Sequence, residues 1–195
     1  MAEGPIEDVF SDYNLTERLA ILGYGSRDAY LEAKPTIEAK AKDMVEHYLT
    51  HVFPNGYKAQ IVATSREAAV RSKGYVDAAL AEALMRLKKS NPEQLDLALL
   101  SKLKTDVIIS GGHNDELHLK AYSDPAKHTT SIKSFKLPFG AEGEGVTGDT
   151  GILIVNNMLL TGFDAPVEQV MYLDKVVVEH GLLQAIARGR CRTSP

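Results

Sequence analysis

Residues 152–192 read ILIVNNMLLTGFDAPVEQVMYLDKVVVEHGLLQAIARGRCR, and this stretch decides the fold. The run at 152–155 is short, wholly apolar, rich in β-branched side chains and bounded by Gly151 and Asn156. Those features predict a buried strand. Residues 161–166, Thr-Gly-Phe-Asp-Ala-Pro, predict a tight turn that carries one hydroxyl and one carboxylate. A second apolar run at 169–173 is closed by Asp174 and Lys175. Residues 180–188 then predict a helix with Leu182, Leu183 and Ile186 on its apolar face. Gln184 and Arg188 stand four apart and share another face. Strand, polar turn, strand and a helix bearing an amide and a guanidinium form an arrangement suited to reading phosphate.

Upstream, the pattern alternates between the two periods. Pro35 opens an amphipathic helix in which Ile37, Ala41, Met44, Val45, Tyr48, Leu49 and Val52 fall on one stripe. His47 and His51 share the spacing of a metal pair, but no third ligand accompanies them, so they read as solvated helix residues. Residues 58–64 predict a strand, with Ser65 as the N-cap of a long helix and Glu67 in its first turn. A short helix over 95–103 precedes a third strand at 106–110 and the loop Gly111-Gly112-His113-Asn114-Asp115. That loop reads as the cap of the helix after it. Residues 123–136 predict a helix whose lysines 127, 133 and 136 form a solvated face. Residues 137–150, Gly-rich and acidic, read as a mobile loop and not a phosphate cradle, since they lack a Gly-Lys-Ser/Thr ending. Strands at 58–64, 106–110, 152–155 and 169–173 alternating with helices predict an α/β three-layer sandwich around a mostly parallel sheet.

Composition bounds what such a domain does. The 195 residues include 44% hydrophobic and 25% charged side chains, ordinary for a globular chain. A formal net charge of −4 argues against a small dedicated DNA-binding domain, though a motor can touch DNA along one narrow face. One cysteine, Cys191, excludes an internal disulfide and a cysteine-clustered zinc site. No run approaches the roughly 18 apolar residues of a membrane span, and the N-terminus lacks the signature of a signal peptide. The cytoplasm is therefore the expected location.

TGFDAP and QAIAR resemble motifs V and VI of superfamily 2 helicase motors. The fuller wording LLTGFDAP, YLDK and LLQAIAR is similar to the R subunit of type I restriction–modification enzymes. The resemblance runs over roughly residues 35–192 and is tightest at 153–188. It implies a RecA-like second motor domain over 54–195, carrying motifs IV to VI and cut short at its C-terminus, with a helical segment or linker over 1–53. KAQIVATSREAAV at 58–70 resembles motif IV. Carried over by position, Gly162, Asp164, Gln184 and Arg188 would border the nucleotide. Gln184 would orient its phosphate end, and Arg188 would act as an arginine finger. Thr64, Ser65, Arg66 and Gly111 would face DNA, and Thr161 would face DNA or the nucleotide edge.

The family also sets what this chain lacks. It has no G-x-x-x-x-G-K-[ST] loop and no acidic pair ending an apolar strand, so ATP and Mg²⁺ would bind only when a first motor domain is present. No carboxylate and lysine nuclease cluster is present either. The isolated chain is expected to be inactive. The implied partners are double-stranded DNA, the remaining R-subunit domains, and the methyltransferase (M) and specificity (S) subunits, with no membrane. The pattern departs from the family at Cys191, where a second arginine is usual, and at Asn157, where related motors often carry Asp. If the helix continues, Arg192 lies about 80° and Arg190 about 120° from the Gln184 direction, so Arg192 is the better substitute. Two rival readings are another superfamily 2 DNA helicase and a non-catalytic remnant that binds DNA or protein.

Overall fold

The computed structural model describes residues 23, 27–90, 96–160 and 163–175. Its elements in chain order are α1 (Arg27–Glu32), α2 (Lys34–His47), β1 (Lys58–Ala63), α3 (Arg66–Ser90), α4 (Leu97–Lys102), β2 (Lys104–Ile108), α5 (Leu117–Lys120), α6 (Pro125–Lys136), β3 (Glu142–Gly143), β4 (Val146–Thr147), β5 (Thr150–Val155) and β6 (Glu168–Asp174). The four long strands form one sheet in the order β2-β5-β1-β6, and every neighbouring pair is parallel. This is the α/β architecture expected from the sequence, a RecA-like sheet flanked by helices.

The side-chain period of two divides β1 between the two faces of the sheet. Ala59, Ile61 and Ala63 point to the side covered by α2 and α3, where they meet Ile152 and Ile154 of β5 and Val107 of β2. The opposite face gathers Val62, Ile108, Leu153 and Val155 around Phe135 of α6 and Ala165. All six β5 residues are buried, as the apolar run at 152–155 requires. The predicted stripe on α2 also lies in the core: Ile37, Ala41, Val45, Tyr48, Leu49 and Val52 are at most 5% exposed, with Met44 packed beside them. Its last turn, Tyr48–Val52, widens into a π-turn, which lets Tyr48, Leu49 and Val52 all face inward before the chain enters β1.

Helix starts follow local chemistry. Ser65 Oγ accepts from the Ala68 N–H at 3.0 Å, Asp96 from Leu99 at 2.9 Å and Asp124 from Ala126 at 2.8 Å. Each side chain satisfies an amide that the helix leaves without a partner.

Two expectations are corrected. Residues 137–149 hold a small antiparallel ladder, β3 with β4, where the sequence suggests a featureless loop. The ladder is held by its own backbone and by what lies beneath it. Gly148 presses against the chain so tightly that an added Cβ would sit 2.0 Å from the Pro138 carbonyl oxygen. Beneath the hairpin, the Lys58 ammonium is wholly buried and donates to the carbonyls of Ser134 at 3.0 Å and Gly148 at 3.1 Å. It also lies 4.8 Å from the Phe139 ring centre. Second, Asp115 does not cap the helix that follows it. α5 begins after Glu116 without a side-chain cap, and the Asp115 carboxylate turns to Arg66.

Candidate functional site

The carboxyl ends of the strands collect the polar groups. β1 leads into Thr64, Ser65 and Arg66, β2 into Ser110, Gly111 and Gly112, β5 into Asn156 and Asn157, and β6 into Lys175. From β1 the chain crosses to β2 on one side, and from β5 it crosses to β6 on the other. In open parallel sheets, ligands bind at the strand ends where the connections diverge in this way. Asn156 marks that point: its buried Nδ2 donates to the Ala63 carbonyl at 3.0 Å and ties the ends of β5 and β1.

Two cations bridge strands that are not neighbours. Lys175, after β6, meets the Asn157 side-chain oxygen over the end of β1. Arg66, after β1, reaches past β5 to the loop beyond β2. Its two terminal nitrogens donate to the two Asp115 oxygens at 2.7 Å and 2.6 Å, and one also donates to the Ser110 carbonyl at 2.9 Å. Such a forked pair is among the stronger protein hydrogen bonds. The Asp115 oxygen also accepts the Gly112 N–H at 2.5 Å. A Cβ on Gly112 would stand 2.6 Å from Asp115 and 3.2 Å from the guanidinium, so a side chain there would displace the ion pair. The Arg66 guanidinium and the Gly112 N–H together hold the Asp115 carboxyl below its usual range.

A second polar chain continues from this corner. His118 meets Glu67 at 2.7 Å, and Glu67 also pairs with Arg71 at 3.2 Å. The Glu67 contact raises the His118 pKa above its ordinary value, and His118 lowers that of Glu67. On the flank of the sheet, the exposed His47 Nδ1 lies 2.9 Å from the Tyr172 hydroxyl. On the same flank Lys40 pairs with the buried Asp174 of the YLDK stretch at 2.5 Å.

The structure thus brings Thr64, Ser65, Arg66 and Gly111 to one edge. Asp164 is exposed and precedes the buried Ala165. Thr161, Gly162, Gln184, Arg188 and Arg192 lie outside the described residues, as does the helix expected at 180–188. The chain approaches Thr161 through a strained backbone: Leu159 holds φ at +61°, a value that bulky residues rarely adopt. Such outliers concentrate at functional turns. The sequence reading did not anticipate Asp115 as the partner of Arg66, Lys58 as a buried cation, or the Lys175–Asn157 contact.

A parallel sheet flanked by helices, with a polar carboxyl edge, places the chain among α/β folds of the RecA-like kind. Residues 116–193 match the family model described as type I restriction enzyme subunit R domain 3. A Methanocaldococcus jannaschii protein named for the endonuclease subunit of the type I restriction enzyme MjaVIIP is 33% identical over 181 residues, covering 91% of this chain and 16% of that protein. The corresponding MjaVIIIP protein of the same organism is 29% identical over 159 residues, covering 81% of this chain and 14% of the relative. The Haemophilus influenzae type I restriction enzyme HindI endonuclease subunit is 29% identical over 163 residues, covering 83% and 14%. The family match and these relatives together support a fragment of a type I restriction enzyme R subunit, and the chain spans about one-seventh of the length of these relatives. Among the described residues, no helix is long and apolar enough to cross a membrane.

Proposed function

We propose that this chain is the second RecA-like motor domain of an R subunit, coupling ATP hydrolysis to movement along double-stranded DNA. The observation that carries this reading is a parallel sheet whose last strands flank TGFDAP and lead to QAIAR, in a segment matched to domain 3 of the R subunit. The resemblance implies a nuclease domain first and a first motor second, so a third domain falls where the second motor belongs. In this reading ATP and Mg²⁺ sit on the first motor domain. Gly162 and Asp164 border the nucleotide, Gln184 orients its phosphate end and Arg188 stabilises the charge that develops on phosphoryl transfer. Arg192 stands in for the arginine expected at Cys191. The M and S subunits would supply site recognition, and the whole assembly would work in the cytoplasm.

The test is reconstitution with a matching first motor domain. Arg188→Ala should lower ATP turnover by about 10³-fold or more while nucleotide affinity changes little. Equal losses in turnover and affinity would remove the finger role. The isolated chain should not hydrolyse ATP, and turnover that disappears with Arg188→Ala would overturn that expectation. Cys191 favours a second reading, a non-catalytic DNA-binding remnant. It predicts salt-dependent duplex binding with no gain in turnover on reconstitution.

A further inference from the structure

We propose that Asp115 is an internal competitor for DNA: its carboxylate occupies the place of a duplex phosphate on Arg66, and binding exchanges one anion for the other. This rests on the motor reading, in which the carboxyl edge faces DNA. The donor set is the one a phosphate would use. A guanidinium fork donates twice and the Gly112 N–H donates once, all to one carboxylate. Arg and backbone amides are common partners of phosphate oxygens at protein–DNA interfaces. The two members of the pair differ in access. The Asp115 side chain is 4% exposed, whereas that of Arg66 is 31% exposed. A phosphate can therefore approach the guanidinium from solvent while the carboxylate sits behind it.

The remaining charges of the corner accommodate the exchange. Glu67 is already engaged by His118 and Arg71, and Lys120 lies near enough to favour the Asp115 charge. Gly112 keeps the loop free of a side chain where the anion sits. The family's expected DNA residue is thus present but held shut by a residue 49 positions away in sequence.

Duplex binding by the full chain tests this, read by fluorescence anisotropy across a salt series. Asp115→Asn keeps the shape of the carboxylate and an acceptor for Gly112. It should tighten binding by about threefold to tenfold, because the competent arginine is no longer sequestered. Arg66→Ala should weaken binding and flatten the slope of log affinity against log salt by about 0.9, the share of one phosphate. Adding Asp115→Asn to Arg66→Ala should then give no comparable gain. A gain that persists without Arg66 would mean simple charge removal and would overturn the exchange.

The wild-type chain supplies an independent reading should a variant fold poorly. Arg66 guanidinium proton signals, assigned by their loss in Arg66→Lys, should shift when duplex is added. Signals that stay fixed while duplex binds would also overturn the proposal. These outcomes are separable from the motor reading, which stands or falls on ATP turnover in the reconstituted pair. Absence of duplex binding by every variant, even at low salt, would overturn the exchange and leave the motor reading to the turnover test.

Discussion

The two ends of the sheet use a long cation in opposite ways, Lys58 at one and Arg66 at the other. At the amino end, Lys58 is wholly buried, bonded to two carbonyls and flanked by aromatic rings, with its pKa drawn down to about 8 by burial. At the carboxyl end, Arg66 is partly open to solvent and locked to a carboxylate that reinforces its charge. Lys58 is an architectural fastener under a hairpin. Arg66 is a charge held in reserve at an edge. The difference lies in water: the first is closed off from any incoming anion, whereas the second faces solvent with its fork already engaged by a carboxylate behind it.

That contrast can be broken experimentally. Lys58→Ala should have the largest effect, lowering stability by about 2–4 kcal/mol, because it removes a packed stem and leaves two buried carbonyls without a donor. Chemical denaturation measures it, and a loss under about 1 kcal/mol would mean the hairpin fastens itself. Gly148→Ala should follow at about 1–3 kcal/mol, since its Cβ meets backbone and not a side chain that can swing away. The same denaturation series decides it, and unchanged stability would show that the loop can move aside.

The finest test is a pH titration of stability, in which the two ends should respond with opposite signs. Lys58 has a lowered pKa, so above about pH 8 the unfolded chain binds more protons and this residue makes stability rise with pH. His118 has a raised pKa, so its bond to Glu67 stabilises at low pH and is lost as pH rises through the raised value. Lys58→Met should abolish the first trend and His118→Gln the second. A trend that survives its own substitution belongs to another group.

Much of the architecture was legible because it depends on local pattern. The apolar run at 152–155, the stripe from Ile37 to Val52, and the cap Ser65 each announce an element within a few residues. What stayed hidden depends on strand order. Arg66 and Asp115 meet only because β5 inserts between β1 and β2 and brings their following loops to one edge. Nothing in the spacing of residues 66 and 115 predicts that. Lys58 stayed hidden for a similar reason: its carbonyl partners at Ser134 and Gly148 come from chain far along the sequence that closes over it. The candidate DNA residues Thr64, Ser65, Arg66 and Gly111 are grouped by the fold, whereas the glutamine and arginines near the C-terminus rest on motif wording alone.

The strand order also bears on how the molecule is born. Among the described residues β1 and β2 are not ladder partners; β2 pairs with β5, and β1 pairs with β5 and β6. A nascent chain that has reached residue 149 therefore holds the segments of β1 and β2 without a ladder partner for either, and no part of the four-stranded sheet. Emergence of Thr150–Val155 from the ribosome joins both at once. A stop codon a few residues earlier would cost the cell the whole layer, not one strand of it.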